Sequence, residues 1–338
     1  MDWFEKLTGF LERDYAHTRA QLVVINGKLH SHANGKSYGV GQLELVSLKT
    51  LRERIHVGPG LPGRLKVSIV RGDVRAMHSA PENAGAMFQV ASQFNLLEMT
   101  SPEVTPEHGV TRYQYDGTQG PACAIAAGAA TIYRNYFVKI DGQEGQTRDR
   151  QFDGLADIGL ALCSKLNLPL DALWTMRNGY AMCTRKGLDA ISEYIATLDA
   201  PQADVLRAKL CIGVHSSVEV TDPCQRPIQV SQAYCSALPV RYAVDQVPSV
   251  HWAAFATLIL EAAYEATLLA GVLNAQQTGS NIVLLTRLGG GAFGNDARWI
   301  DSAIRRAFRL VGDIDLDVRL VSYGAPTAAI AKIVEDFR

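Results

Sequence analysis

Three consecutive glycines follow an apolar run in LLTRLGGGAFGNDARW, and they make this stretch the best equipped in the chain to hold a ligand. The run ends at Leu288. Gly289, Gly290, Gly291, Ala292, Phe293, Gly294 and Asn295 then lead into a helical pattern. Glycine lets backbone approach a ligand closely and take up positive φ. A strand-to-helix loop also presents unpaired N–H groups, where a diphosphate is favoured. No Gly-Lys-Ser/Thr follows, which excludes a Walker A loop, and the loop does not occupy the first-strand position of a Rossmann GxGxxG. The plain alternative is a tight turn without a ligand, against which stands the conformational entropy that three glycines cost. The other chemically capable side chains are carboxylates. Glu98, Glu103, Glu107 and Asp116 share one loop, while Asp222, Asp245 and Asp296 lie further on. Histidines and cysteines form no metal-ligand spacing; HSH at His30 and His32 falls in a turn region, and no metal is expected.

Those residues need strands and helices to position them. RLKVSIVRGDV reads as a buried strand running into a Gly-Asp turn, and GAMFQVASQFN as a second strand. ACAIAAGAATIYRNYF reads as a small-residue helix opened by Pro121, which needs no donated N–H in a first turn. Residues 152–198 read as helices broken near Pro169 and Gly179. AKLCIGVHSSVEVT and IQVSQAYCSALPVRY follow as strands, then HWAAFATLILEAAYEATLLAGVLNA as a long buried helix. NIVLLTRL has the continuous apolar run of a sheet centre, NDARWIDSAIRRAFRLV is an amphipathic helix, and LDVRLVSYG is a last strand. Strands alternating with helices predict a layered α/β sheet with ligands at the strands' carboxyl ends. Ahead of this, Trp3 to Arg19 predicts one helix, and QLVVING and QLELVSL predict a hairpin across a turn region from His30 to Gly41. The Gly/Pro cluster from Val57 to Gly63 marks the expected break between an N-terminal extension, 1–57, and a main domain, 64–338.

Composition narrows the partners. The chain has 338 residues, 47% apolar and 20% charged, with a formal net charge of −1, so no global field draws it to nucleic acid or to an anionic membrane. The six cysteines lack a CxxC pair and sit among small apolar residues, as reduced thiols do. The first twenty residues lack the basic start, apolar centre and cleavage site of a signal peptide. Glu261 and Glu265 interrupt the longest apolar stretch. A cytoplasmic chain is expected.

On these residues the sequence resembles the macrodomain superfamily. GGGAFGND is similar to the second phosphate loop of poly(ADP-ribose) glycohydrolase-like macrodomains, in which glycine-rich backbone and an aromatic side chain wrap a diphosphate and the distal ribose. The resemblance gives those roles to Gly289, Gly290, Gly291, Ala292, Phe293, Gly294 and Asn295. VSIVRGDV resembles the first core strand and its turn, which makes Asp73 and Val74 candidates for the adenine side; the bland reading of Asp73 is a helix cap. FQVASQFN, with Gln89, occupies the place of the strand that ends in Asn-Ala-Ala-Asn, so Asn95 would face the ribose hydroxyls, although the first asparagine of that pattern is missing. DGTQGPACAIAAG takes the place of the first phosphate loop, with Thr118, Gln119 and Gly120 as donors. Here the chain departs from the family: the paired glutamates of a poly(ADP-ribose) glycohydrolase are absent. Tyr323, after the last strand, is the candidate for stacking on adenine, and plain packing is its alternative. Taken with PENAGAMFQVASQFN and VSQAYCSALPVRY, these stretches most resemble the MavL-type ADP-ribosylarginine hydrolases, which act on ubiquitin.

The resemblance implies a three-layer αβα sandwich with a mixed central sheet, a helical insertion around 152–198 and an N-terminal helix-plus-hairpin elaboration. It also implies removal of mono-ADP-ribose from protein side chains, arginine first, without a cofactor. Breaking that bond passes through an oxocarbenium-like ribose, which calls for a carboxylate to activate water and for donors to hold the diphosphate. Glu98 and Asp116 are favoured for their closeness to the first loop, and Asp222 for the substrate side. The implied partners are ADP-ribose and an ADP-ribosylated protein. The competing readings are a module that binds ADP-ribose without turnover and a scaffold whose pocket is vestigial.

Overall fold

In the computed structural model, which describes residues 1–58, 60–242 and 247–338, the N-terminal helical pattern is broken in two. Helix α1 (Trp3–Thr8) stops at Gly9, whose φ of 83° lets its N–H return to Glu5 O, and α2 (Tyr15–Ala20) restarts under an Asp14 cap. Strands β1 (Leu22–Ile25), β2 (Lys28–Ser31) and β3 (Ser37–Gly39) form a small antiparallel sheet. QLVVING does not pair with QLELVSL. Asn26 and Gly27, both at positive φ, close a two-residue turn between β1 and β2 instead. QLELVS becomes β4 (Gln42–Ser47), which joins the edge of the main sheet, and α3 (Leu48–Val57) packs on its cover. Segment 1–57 therefore contributes both a small sheet of its own and an edge strand of the central one.

The order continues with β5 (Lys66–Arg71), α4 (Val74–His78), β6 (Met87–Ala91), α5 (Gln119–Ala126), α6 (Gly128–Tyr136) and a short β7–β8 hairpin (Lys139–Ile140, Gln143–Glu144). Residues 152–198 hold α7 (Ala156–Leu166), α8 (Leu170–Leu173), β9 (Trp174–Arg177), β10 (Tyr180–Cys183) and α9 (Arg185–Thr197). Where the pattern predicts only helices, β9 and β10 form a hairpin around Asn178 and Gly179, at φ 46° and 80°. Asn-Gly is the strongest short-range signal for such a turn. Then come α10 (Ala200–Arg207), β11 (Cys211–Glu219), β12 (Gln229–Cys235), α11 (Ser249–Thr278), β13 (Ile282–Leu285), α12 (Ala297–Leu310), β14 (Asp317–Ser322) and α13 (Ala328–Asp336).

The central sheet is mixed, as expected, with seven strands in the order β4-β11-β12-β6-β13-β14-β5. β12, β6, β13, β14 and β5 run parallel, and β11 is antiparallel to both neighbours. Helices cover both faces. Val74, Cys123, Ala127 and Ala130 bring α4, α5 and α6 onto one side of β6 and β12; α3, α11, α12 and α13 cover the other. Helix α11 is long and apolar enough to cross a membrane by length and composition, yet most of it is buried in this layer. Its two glutamates are neutralised there. Glu265 pairs with Arg52 and Arg306 at 2.6 Å each, and Glu261 with Arg207 at 2.6 Å. The six cysteines are unbridged.

β6 and β13 lie side by side, and their connections leave for opposite faces, α5 and α6 on one and α12 on the other. A parallel sheet opens a crevice beyond its carboxyl edge at such a point.

Candidate functional site

A cleft of about 310 Å³ occupies that crevice. Its walls come from the carboxyl end of β6 (Ala91, Ser92, Gln93), the loop after it (Glu98, Met99, Thr100), the start of α5 (Asp116, Thr118, Gln119, Pro121) and the loop after β13 (Thr286 to Gly289, Gly291 to Phe293), closed by Tyr180, Ala237 and Tyr242. Both strand-to-helix junctions singled out in the sequence thus open into one space.

The first junction is built around Gly120. A Cβ there would lie 1.9 Å from Ala91 O, so only glycine lets α5 start this close to β6. Gln119 staples the two together: its Oε1 accepts from Ala91 N at 2.9 Å and its Nε2 donates to Gln89 O at 2.8 Å. Its side chain is spent on structure. The Asp116 carboxylate accepts from Thr118 N at 2.8 Å and turns the chain into the helix. The N–H groups of Gln119 and Gly120 make no hydrogen bond among the described residues, as befits a first helical turn at the cleft.

The second junction is a self-clasped loop. Asn295 N donates to Gly289 O at 2.9 Å, and Gly290 N to Arg287 O at 3.1 Å. Gly289 takes φ 72°, and a Cβ there would lie 2.5 Å from that of Ala237. Inside the clasp the N–H groups of Gly291, Ala292 and Phe293 are unbonded among the described residues. The loop acts without the helix behind it, because the Asp296 carboxylate caps α12 through Arg298 N at 2.8 Å. Main-chain amides, not a helix terminus, are what this loop offers an anion. Arg287 lines the cleft beside it, paired with Asp301.

Phe293 at the loop tip packs against Tyr180 and Tyr242, with ring centroids 5.4 and 5.6 Å away, and the two tyrosines lie 5.2 Å apart. Tyr180 is held by its hydroxyl donating to Met99 O at 2.6 Å. It arrives on the β9–β10 hairpin, docked where Phe94 N donates to Gly179 O at 2.9 Å. The β9–β10 hairpin thus supplies one ring of the aromatic wall.

Glu98 lines the cleft although its residue is only 2% exposed. Burial drives its carboxyl from the ordinary 4.5 up to about 7, against the pull of Arg134, whose Nη2 lies 3.4 Å from Oε2, with the charge of Asp116 raising it further. A carboxyl that titrates near neutrality at a cleft wall is suited to proton transfer.

The other candidates fall elsewhere. Asp222 lies outside the cleft, its carboxylate engaged by Arg75 Nε and Nη2 at 2.5 and 2.6 Å. Asn95 does not face the cleft. It is buried, with Nδ2 donating to Gln151 Oε1 at 2.8 Å and Oδ1 accepting from Leu97 N at 3.1 Å, and so it knots the loop after β6. Gln89 points to the α11 face, where it donates to Thr267 Oγ1 at 2.9 Å. Asn295 and Gly290 shape the loop without lining the cleft, Gly120 sets the approach of α5 to β6 behind the lining Gln119, and the positive φ of Gly294 sets the loop against the Arg241 side chain. Asp73 caps α4 through Arg75 N at 2.9 Å, Val74 is core, and Tyr323 is 87% exposed. Asp73 and Tyr323 do lie at the same carboxyl edge, since Gly72 N donates to Ser322 O at 3.1 Å, but beyond the cleft. Glu103 pairs with Arg177, Glu107 accepts from Arg148 N, and Asp245 lies outside the described residues. Sequence reasoning missed Tyr180, Tyr242 and Arg287. The Asn178-Gly179 turn was the available signal for the first, and adjacency to the glycines for the last.

The sequence matches no protein-family model and no curated protein. Similar solved structures include a poly(ADP-ribose) glycohydrolase from Thermomonospora curvata, at 12% identity and TM-score 0.42 over 92% of this chain and 94% of that one. The same enzyme bound to the inhibitor ADP-HPD gives 12% and 0.43 over 95% and 97%. A poly(ADP-ribose) glycohydrolase from Deinococcus radiodurans in complex with ADP-ribose gives 11% and 0.45 over 87% and 92%.

Proposed function

We propose that this chain is an ADP-ribosyl hydrolase that releases mono-ADP-ribose from a modified protein side chain, arginine first, with ubiquitin as a candidate carrier. One observation carries the reading: two junctions with unbonded main-chain amides line the same cleft as the carboxyl of Glu98, which is buried beside Arg134. The resemblance of GGGAFGND and TQGPACAIAAG to macrodomain phosphate loops supports it. A space of about 310 Å³ lies at the lower end of the range for small-molecule sites. It suits the pyrophosphate and distal ribose, with adenine running along the sheet edge towards Asp73 and Tyr323.

In this reading the amides of Gly291, Ala292, Phe293 and Gln119 hold the pyrophosphate, and Arg287 adds positive charge. Phe293 and Tyr180 form an apolar wall for the ribose. As the ribosyl C–N bond breaks, its electron pair stays on the guanidine nitrogen, and water attacks the oxocarbenium-like carbon. Ionised Glu98 takes the proton that water loses and delivers it to the departing guanidine, so the proton balance closes within the site. Asp116, on the same wall, favours a cationic leaving group.

The test has two arms. ADP-ribose at about a hundred times its Kd should stabilise the fold by about 2.7 kcal/mol and raise the melting temperature. Incubation with arginine-ADP-ribosylated ubiquitin should release the label, and Glu98→Gln should bind but not release. No thermal shift at millimolar ADP-ribose removes the ligand assignment. A shift with a persistent label leaves a binding module.

A further inference from the structure

Behind the cleft wall, a line of buried polar side chains runs between the sheet and helices α4–α6. Arg134 on α6 is wholly buried. Its Nε donates to Leu96 O at 3.0 Å, and its Nη2 reaches Thr131 Oγ1 at 3.2 Å and the two oxygens of Glu98 at 3.5 and 3.4 Å. The guanidinium lies over the Tyr234 ring, with Cζ 3.9 Å from its centroid. Tyr234 in turn donates to Gln232 Oε1 at 2.5 Å, and Gln232 Nε2 donates to Cys123 O at 3.0 Å and lies 3.1 Å from His78 Nε2. The His78 Nδ1 meets Val74 O at 2.8 Å, a pattern that a neutral ring with its proton on Nδ1 satisfies at both nitrogens.

We infer that Arg134 is a positioning residue whose fixed guanidinium keeps Glu98 ionisable in a site otherwise too dry for a carboxylate. The argument starts from burial. An isolated carboxylate taken out of water neutralises itself. The groups facing Glu98 are Arg134 from α6, Tyr113 and Asp116 ahead of α5, Cys123 from α5 and Tyr234 from β12. Arg134 is the cation in that set. His215, on β11, is held neutral by burial and by Arg134 itself, so it adds no second charge.

The length of the contact matters as much as its sign. A tight charge-assisted pair closes to about 2.7–2.9 Å and would hold Glu98 as a permanent anion. Anchored to Leu96 O, Thr131 and the Tyr234 face, the guanidinium stands off at 3.4 Å or more. It offsets desolvation without abolishing the protonated form, which is consistent with a carboxyl near neutrality.

The inference rests on the reading of Glu98 as the proton acceptor, but its test does not need turnover. In protein labelled at glutamate carboxyl carbons, with Glu98→Gln identifying the resonance, wild type should titrate close to neutral pH. Arg134→Met should move the midpoint up by at least about one pH unit. If the label-release assay is active, the acidic limb of its kcat/KM profile should move up with it while ADP-ribose Kd stays within about threefold, an effect under one kcal/mol. A folded Arg134→Met with an unmoved midpoint overturns the proposal. Should that variant fail to fold, a second neutral substitution decides. A lysine would keep the charge, so the deciding result is that of the neutral Arg134→Gln, which can still donate to Leu96 O: its midpoint must rise as well, and an unmoved one overturns the proposal. A wild type that titrates as stated and a variant that shifts as stated, with no label released by either, refute the hydrolase reading and leave the link between Arg134 and Glu98 standing.

Discussion

Replacing Gly120 with alanine tests whether the first turn of α5 reaches the cleft only because that position has no side chain. The new Cβ would lie 1.9 Å from Ala91 O and 3.2 Å from Glu98 Cγ. Carbon–oxygen contacts of this kind settle near 3.3 Å, so α5 must retreat from β6 by about 1.4 Å. That retreat breaks the two Gln119 bonds to Ala91 N and Gln89 O. Each contributes about 1 kcal/mol net, and the overpacking itself costs about 1–3 kcal/mol. Alanine's better helix propensity returns about 0.5–1 kcal/mol, leaving a loss of about 2–4.5 kcal/mol. Against a total stability of about 5–15 kcal/mol the variant still folds. Urea unfolding followed by circular dichroism measures the loss, and the ADP-ribose thermal shift should shrink in the same protein because the first-turn amides have moved. Gly291→Ala is the matched control, with no heavy atom within 4 Å of its Cβ, and should stay within about 0.5 kcal/mol of wild type. A Gly120→Ala protein as stable as that control, with an undiminished ligand shift, would refute the close-approach argument.

Other outcomes follow from the same contacts. Glu98 is held near 7 in place of 4.5, so the wild type loses stability as pH rises from about 4.5 through 7. Relative to Glu98→Gln, whose stability lacks that slope, wild type should lose about 2–3 kcal/mol between pH 5 and 8 in paired urea melts. His78, stacked on Phe88 and wholly buried, is depressed by desolvation from 6.5 to about 4. Its contribution is present above pH 6.5 and lost as pH falls towards 4, so His78→Asn should flatten the acid side of a melting-temperature profile. Asp222→Asn should leave label release within about twofold while costing about 1 kcal/mol, because its carboxylate braces Arg75 away from the cleft; a tenfold loss of release would return Asp222 to the chemistry.

Much of the architecture is legible in the residues themselves. Continuous apolar runs such as NIVLLTRL mark central parallel strands, and the glycines after Leu288 mark a loop where backbone must serve in place of side chains. These signals are local, since the period of an element and the φ a turn requires are written within a few residues. The hairpin at Asn178-Gly179 is equally local, a two-residue turn signal set between helical patterns.

What only the tertiary structure decided is which polar groups lose their water, and beside whom. Glu98 and Asp222 are both acidic residues in loops. One is buried against Arg134, 36 positions away, where desolvation pushes its carboxyl up to about 7; the other is paired with Arg75 across 147 positions. β4 likewise finds its place by pairing with β11, far along the chain. Spacing along a chain encodes periodicity, but desolvation and charge pairing depend on distances through space, and those exist only once the sheet has brought its carboxyl ends together.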